Sequence, residues 1–158
     1  EHRKRVIGQI ERALYAAILI AHAQGMVLLE AASSAHGYGL NLSEVARIWR
    51  GGCIIRSALL EEIMIGLRSR PDVPNLLVEP RLHLEAASRR GDLQSIVCTA
   101  ASLGIPVPSM MAALAYYDGY RSAWLPANLI QAQRDYFGAH TYERVDEKGV
   151  FHTRWEEP

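Results

Sequence analysis

The residues ALYAAILIAHAQGMVLLEAA, at positions 13–32, form the longest apolar stretch of the chain. Their apolar side chains recur every three to four residues, a helical period that reaches back to Val6. Because most remaining positions are also apolar, the pattern predicts a helix that is covered on several sides. His22, Gln24 and Gly25 lie at its centre, where polar groups are costly in lipid, so a buried helix is favoured over a membrane span.

Shorter helices are predicted to follow, with boundaries marked by capping and breaking residues. Asn41 with Glu44 resembles a capping box and predicts that a second helix, LSEVARIWR, begins there. Gly51 and Gly52 interrupt this pattern. The next segment, CIIRSALLEEIMIGLRSR, predicts a third helix that ends before Pro71, and the loop after it has room for one helical turn.

The second half of the chain continues the helical pattern. Gly91 is predicted to end a short helix, and Asp92 to cap the next one, LQSIVCTAASLG. Ser109 is predicted to cap the segment MMAALAYYDGYRSA. In the last helix, ANLIQAQRDYF, Pro126 suits the first turn and Gly138 suits the C-terminal end. These segments together predict an all-α fold.

After the last helix the pattern changes to short extended runs. The runs TYERV and VFHTRW lie on either side of DEKG, which predicts a hairpin or an extended tail. The aromatic residues Tyr142, Phe151 and Trp155 of this tail have little chain left to fold against. We therefore expect the tail to pack on another surface, such as a partner subunit.

Composition argues against several kinds of partner and site. The chain has 158 residues with 17 basic and 17 acidic side chains, a balance that favours neither nucleic acid nor an anionic membrane surface. Lys4 and Lys148 are its only lysines. Cys53 and Cys98 form no close-spaced pair, so the sequence predicts neither a disulfide framework nor a zinc site. A reduced, cytoplasmic setting fits best.

Two further motifs have a structural and a functional explanation. The sequence lacks HExxH and CxxC metal motifs and the glycine-rich loops that hold nucleotide phosphates. RGGCIIR, at 50–56, is interpreted as a tight turn between helices, with an anion site at a helix start as the alternative. The tyrosines of YYDGYRSA are interpreted as a stripe facing the core rather than a platform for stacking bases, because the chain is not basic.

The stretch QAQRDYFGAH, at 131–140, is harder to explain by structure alone. Arg134 is predicted to lie in the last helical turn and His140 just beyond the break at Gly138. The helix dipole stabilises a cation there, and Asp135 offers a second structural partner for Arg134. An anion site is the alternative, because a guanidinium binds phosphate through two hydrogen bonds and an imidazole adds another. Spacing allows both explanations and favours the dipole.

Six stretches distributed over about 6–155 carry a resemblance to a known family: GCIIR, NLL, GIPVP, AALAYYDGYR, LPANLIQAQRDYFGAHTYER and GVFHTRW. Together they resemble the C-terminal part of 6-phosphogluconate dehydrogenase. The resemblance implies an NADP-dependent, homodimeric, cytoplasmic enzyme of the pentose phosphate pathway, which converts 6-phosphogluconate to ribulose 5-phosphate and carbon dioxide without a metal. It also implies that 1–138 is the second half of an all-helical domain and that 139–158 is a tail reaching the partner subunit.

The resemblance implies a role for two residues of this chain. In the family, the Arg and the His of the RDYFGAH motif bind the phosphate of 6-phosphogluconate in the partner's active site, which corresponds to Arg134 and His140. The coenzyme-binding fingerprint, the catalytic Lys and the catalytic Glu have no counterpart here, since neither Lys4 nor Lys148 lies in a matching motif.

We therefore expect no catalytic, coenzyme-binding or metal-binding residue in this chain, and no activity from the chain alone. Half of a helical domain should expose an apolar face, so we also expect self-association. The alternative is a stand-alone helical dimerisation module without catalytic activity. Neither nucleic acid nor a membrane is expected as a partner.

Overall fold

The computed structural model describes residues 2–155 as six α-helices, one 3-10 turn and a two-stranded sheet. The elements are α1 (His2–His36), α2 (Leu42–Arg50), α3 (Leu59–Ser69), the 3-10 turn (Leu76–Val78), α4 (Pro80–Ser102), α5 (Pro108–Tyr120), α6 (Asn128–Gly138), β1 (Tyr142–Glu143) and β2 (Val150–Phe151). The predicted all-α fold with a hairpin-like tail is confirmed.

The chain forms two compact units, and their boundary differs from the predicted boundary between domain and tail. The helical unit is Glu1–Tyr120 and the tail unit is Arg121–Pro158, so α6 belongs with the hairpin. The division into a helical domain at 1–138 and a tail at 139–158 follows the change of sequence pattern after Gly138 and the family resemblance, and it stays a prediction.

The helical unit is built around α1, which packs most extensively against α4 and also contacts α5, α2 and the 3-10 turn. One side of α1 carries fully buried residues such as Leu19 and Ile20, and α3 packs Leu60 and Ile63 into the same core. The core of this unit is therefore apolar and comes from every helix in it. Its largest fully buried side chains are Leu19, Ile20, Leu60, Ile63, Leu76, Leu82 and Leu93.

The opposite side of α1 is not covered within the part of the chain that the structure describes. Its exposed apolar side chains follow helical spacing and make one stripe: Ile7, Ile10, Leu14, Ile18 and Leu28. By length and composition, α1 qualifies as a membrane-crossing helix, but 39% of its most apolar window is buried among the other helices. The core helix of a folded domain meets the same test.

Two predicted helix boundaries are wrong because tertiary contacts outweigh local signals. Gly91 does not end a helix, since α4 runs without interruption from Pro80 to Ser102. A glycine inside a helix costs about 1 kcal/mol relative to alanine, which the complete burial of Leu93 more than offsets. Asp92 caps nothing. Its carboxylate instead accepts a hydrogen bond of 2.6 Å from Nε of Arg12, on α1.

Of three other predicted helix starts, one is confirmed and two are wrong. Asn41 caps α2 as predicted, since its side-chain oxygen accepts from the backbone N–H groups of Ser43 and Glu44. Helix α3 begins at Leu59 rather than near Cys53, because the residues between them form turns. Ser109 is not a cap, because α5 begins one residue earlier at Pro108. These errors do not alter the order of the helices.

Candidate functional site

The tail unit consists of α6 and the hairpin that follows it. Strands β1 and β2 are antiparallel, with Tyr142 opposite Phe151, and the two rings stack with centroids 6.2 Å apart. The hydroxyl groups of Tyr142 and Thr153 are 2.8 Å apart and share a hydrogen bond. The hairpin is therefore stabilised by ring stacking and by a hydrogen bond between side chains, in addition to the pairing of its two short strands.

Asp135 lies at the centre of this unit and is completely buried. One carboxylate oxygen, Oδ1, accepts from the backbone N–H of Thr141 at 3.1 Å and from Nδ1 of His152 at 2.8 Å. The other, Oδ2, accepts from the backbone N–H of Thr153 at 2.9 Å and from Nε1 of Trp155 at 3.0 Å. A carboxylate has about four lone-pair sites, so the acceptor capacity of Asp135 is fully used.

These contacts also determine the charge of the carboxyl group. Burial by itself raises the pKa of Asp135, but the hydrogen bonds from His152, the Thr153 N–H and Trp155 outweigh it and lower that pKa to about 2. Asp135 is therefore an anion at neutral pH. It connects the last turn of α6 to the turn that follows and to the end of the tail.

The turn after α6 has an unfavourable backbone conformation. Helix α6 ends at Gly138, and the left-handed residue that follows is Ala139, with φ of 48°. Thr141 also has a positive φ, of 63°, which is rare for a β-branched side chain. Two side chains hold it there: Asp135 accepts its N–H, and Gln131 Nε2 donates to its carbonyl at 3.0 Å.

His140 lies between these two strained residues. A Cβ atom on Gly138 would come within 2.7 Å of Cδ2 and 2.8 Å of Nε2 of the His140 ring, so only glycine leaves room for the imidazole. The ring of Phe137 meets it edge to face, with centroids 6.1 Å apart. His140 is exposed, and within residues 2–155 its ring nitrogens form no hydrogen bond.

Arg134 is exposed and lies just before the last turn of α6, not in it as predicted. The dipole explanation is therefore weak, because the effect of the dipole falls off within that turn. Asp135 does not pair with Arg134 either. Instead Arg134 Nη1 donates to Oε1 of Gln131 at 3.2 Å, and in the described part of the chain its guanidinium forms no ion pair.

Gln131 joins the two predicted binding residues. Its amide oxygen accepts from Arg134 while its amide nitrogen donates to the carbonyl of Thr141, next to His140. The backbone N of His140 is also 3.5 Å from the carbonyl oxygen of Arg134. The turn thus brings the backbones of both residues together and leaves both side chains on the surface with donors available. An oxyanion is the ligand that such a pair can bind.

Two other motifs, RGGCIIR and YYDGYRSA, also had a functional explanation as an alternative. The structure favours the structural explanation for both. No helix begins directly after Gly51 and Gly52, since α3 starts only at Leu59, so RGGCIIR has no helix N-terminus with which to bind an anion. Of the predicted tyrosine stripe, Tyr117 is buried and the hydroxyl of Tyr116 accepts a hydrogen bond from Asn75. Tyr120 is exposed and stacks on Tyr116, so the stripe faces the core only in part. Across the described residues, no three His, Cys, Asp or Glu side chains gather in a group suited to a metal ion.

The importance of Asp135, Gly138 and Thr141 was not predicted from the sequence. One signal was present, because an Asp in the last turn of a helix is disfavoured by the dipole and needs a compensating partner. The identity of the partners was not available, since they follow Asp135 by 6 to 20 residues and belong to the tail.

Comparisons with known proteins agree on one family. The family model described as "6-phosphogluconate dehydrogenase, C-terminal domain" matches residues 1–155. A decarboxylating 6-phosphogluconate dehydrogenase of Spinacia oleracea, described as chloroplastic, is 51% identical over 97% of this chain and 28% of its own length. The NADP(+)-dependent, decarboxylating enzyme of Bacillus subtilis (strain 168) is 46% identical over 98% of this chain and 33% of its own.

A solved structure is similar along nearly the whole chain. The 6-phosphogluconate dehydrogenase of Plasmodium falciparum, studied in its apo form and in complex with NADP+ and with 6-phosphogluconate, superposes with a TM-score of 0.89. It is 39% identical, and the match covers 98% of this chain and 33% of that one. The chain thus spans about a third of the length of the relatives that it matches.

Proposed function

The chain belongs to the 6-phosphogluconate dehydrogenase family, and we propose that it is the C-terminal domain of a decarboxylating, NADP-dependent member. The whole protein would oxidise 6-phosphogluconate with NADP+ to ribulose 5-phosphate and carbon dioxide, in the pentose phosphate pathway. The identity to enzymes of that name and the close superposition on one of them support this proposal. The contribution of these 158 residues is binding and assembly.

The contribution to binding is a phosphate site made by Arg134 and His140. The observation that carries it is the strained, pinned turn, which leaves a guanidinium and an imidazole exposed without any competing carboxylate in the described residues. The guanidinium binds two phosphate oxygens, and the imidazole donates to one of them.

The contribution to assembly is a homodimer in which each tail completes the partner's site. Support comes from the density of exposed apolar side chains on the tail unit, which a monomer seldom leaves in water. A two-fold axis makes the exchange of tails reciprocal and closed. The side chains concerned are Trp124, Leu129, Ile130, Tyr136, Phe137 and Val145. A monomeric mass in light scattering at tens of micromolar would count against this assembly.

These residues are not proposed to take part in proton or hydride transfer. The general base, the general acid and the NADP site are proposed to lie outside these residues, so the chain alone should not reduce NADP+. Robust reduction of NADP+ by the purified chain with 6-phosphogluconate would refute this. Cys53 and Cys98 are both free thiols, which supports a reduced compartment, and we propose the cytoplasm.

The phosphate assignment is tested in the full-length protein by a ratio that we call the phosphate discrimination. It is the inhibition constant of gluconate, which lacks the phosphate, divided by the Michaelis constant for 6-phosphogluconate. Arg134→Ala removes a charge-assisted contact worth roughly 1.5–3 kcal/mol, so the ratio should fall by about one to two decades. Arg70→Ala, at an exposed arginine of the helical unit, is the matched control and should leave it unchanged. An unaltered ratio in Arg134→Ala refutes the role.

The alternative, a stand-alone dimerisation module, is favoured by the apolar stripe on α1 together with the apolar surface of the tail unit. The gene upstream of Glu1 separates the two. An in-frame Rossmann stretch with a GxGxxG motif supports the enzyme, and a start codon close by supports the module.

A further inference from the structure

We infer that Asp135 is a positioning residue of the phosphate site: its carboxylate ties the turn carrying His140 to the end of the tail and so holds Arg134 and His140 in one arrangement. Asp135 does not touch the substrate in this account. The inference rests on the proposed function, because it explains how that site is held in place.

The first step of the argument is connectivity. The four hydrogen bonds to Asp135 come from three separate places: the turn at Thr141, the exit of β2 at His152 and Thr153, and the indole of Trp155. Because Asp135 directly follows Arg134 in α6, the turn and the tail end cannot shift relative to Arg134 without breaking these bonds. One side chain thereby fixes the geometry of the whole unit around the proposed site.

The second step is the strain of the turn. Ala139 and Thr141 keep positive φ angles, and such angles persist in non-glycine residues only where surrounding contacts impose them. Asp135 supplies one of these contacts, to the N–H of Thr141. If that bond is lost, only the bond from Gln131 Nε2 still holds Thr141, and we expect the turn to relax towards ordinary backbone angles. The ring of His140, which lies between the two strained residues, then leaves its place over Gly138.

The third step is the chemistry of substitution. Asparagine has the shape of aspartate, but its amide nitrogen donates and would face the backbone N–H of either Thr141 or Thr153, according to how the amide is turned. Asp135→Asn therefore removes at least one hydrogen bond and sets N–H groups against each other, while α6 itself stays intact. The matched control is Asp118→Asn in the helical unit, where Asp118 accepts two bonds from Arg90 away from the turn.

The test is the phosphate discrimination of the full-length protein. Asp135→Asn should lower it about tenfold or more, close to the effect of Arg134→Ala, because the loss is geometric rather than a loss of folded enzyme. Asp118→Asn should leave the phosphate discrimination unchanged. A substitution that only destabilises the fold lowers the fraction of folded enzyme, but it changes neither the inhibition constant of gluconate nor the Michaelis constant for 6-phosphogluconate. If Arg134→Ala lowers the ratio and folded Asp135→Asn does not, this inference fails alone. If neither lowers it, the proposed function fails.

A milder variant keeps the test valid if Asp135→Asn does not fold. Trp155→Phe removes one donor to Asp135 and preserves a large ring at a partly exposed position. It should lower the phosphate discrimination about threefold, in proportion to the single bond lost. A folded Trp155→Phe protein with full discrimination would overturn the positioning role.

Discussion

In the helical unit, leucine and isoleucine side chains such as Leu60, Ile63 and Leu93 are withdrawn completely from water. In the tail unit, the only fully buried side chain among the described residues is the carboxylate of Asp135. The first unit depends on non-directional apolar burial, which stabilises a fold and tolerates small shifts. The second depends on directional hydrogen bonds, which hold a few atoms at set positions and lose their strength when geometry changes. The difference suits a scaffold role for the helical unit and the proposed binding role for the tail unit.

The largest effect on stability is expected from a substitution in the apolar core of the helical unit. Leu93→Ala removes a completely buried side chain of α4 and should lower the free energy of unfolding by about 2–5 kcal/mol, measured by denaturant unfolding. Leu84→Ala on the same helix is the control, because Leu84 is mostly exposed and its truncation should cost less than about 0.5 kcal/mol. Equal losses in the two variants would contradict the assigned core.

The next effect is specific to the tail unit and depends on pH. The pKa of Asp135 is lowered to about 2, below the value of about 3.9 in an unfolded chain. A depressed pKa adds stability that is complete above the unfolded value and is lost as the pH falls through the folded value. The Trp155 indole N–H signal in NMR should therefore keep its folded position down to about pH 4 and lose it between about pH 4 and 2.

The control for this titration is Asp135→Asn, which cannot ionise at that position. Its Trp155 signal should already be shifted at neutral pH and should show no further change in the same window. A wild-type signal that moves near pH 6 would show that a different group controls the order of the tail.

A smaller effect is expected from two glycines that have opposite surroundings. Gly91 has open space at its Cβ position inside α4, so Gly91→Ala should stabilise the helical unit by about 1 kcal/mol. Gly138→Ala should gain little stability, because the new methyl group displaces the ring of His140. The phosphate discrimination should fall about threefold or more in Gly138→Ala and not at all in Gly91→Ala. Equal behaviour of the two variants in this assay would contradict the placement of His140.

Local signals in the sequence predicted the parts of the fold that local forces determine. Asn41 caps α2, the last helix ends at Gly138, and the two runs around DEKG pair as a hairpin. Gly91 was misinterpreted because its cost is local, whereas the burial of Leu93 that outweighs it is tertiary.

The candidate site could be inferred from the sequence only in part, because local signals show residue types but not tertiary partners, and it stays a prediction. Arg134 and His140 stand out by residue type and by resemblance, and the structure leaves both exposed with donors available. The role of Asp135 depends on partners that only the folded tail brings to it. The sequence explained Gly138 only as the end of a helix. In the structure, the lack of a Cβ atom at Gly138 also leaves room for the imidazole ring of His140.

The central claim, that this tail completes a phosphate site in another subunit, is tested most directly by mixing two defective full-length proteins. One carries Arg134→Ala, and the other carries a substitution of the catalytic lysine proposed to lie outside these residues. In a randomly mixed dimer, half of the molecules are hybrids, and each hybrid has one complete site, so about a quarter of wild-type activity should return at low substrate concentration. If the tail served its own subunit, every site would carry one defect, and activity no higher than that of the two separate proteins would contradict the account.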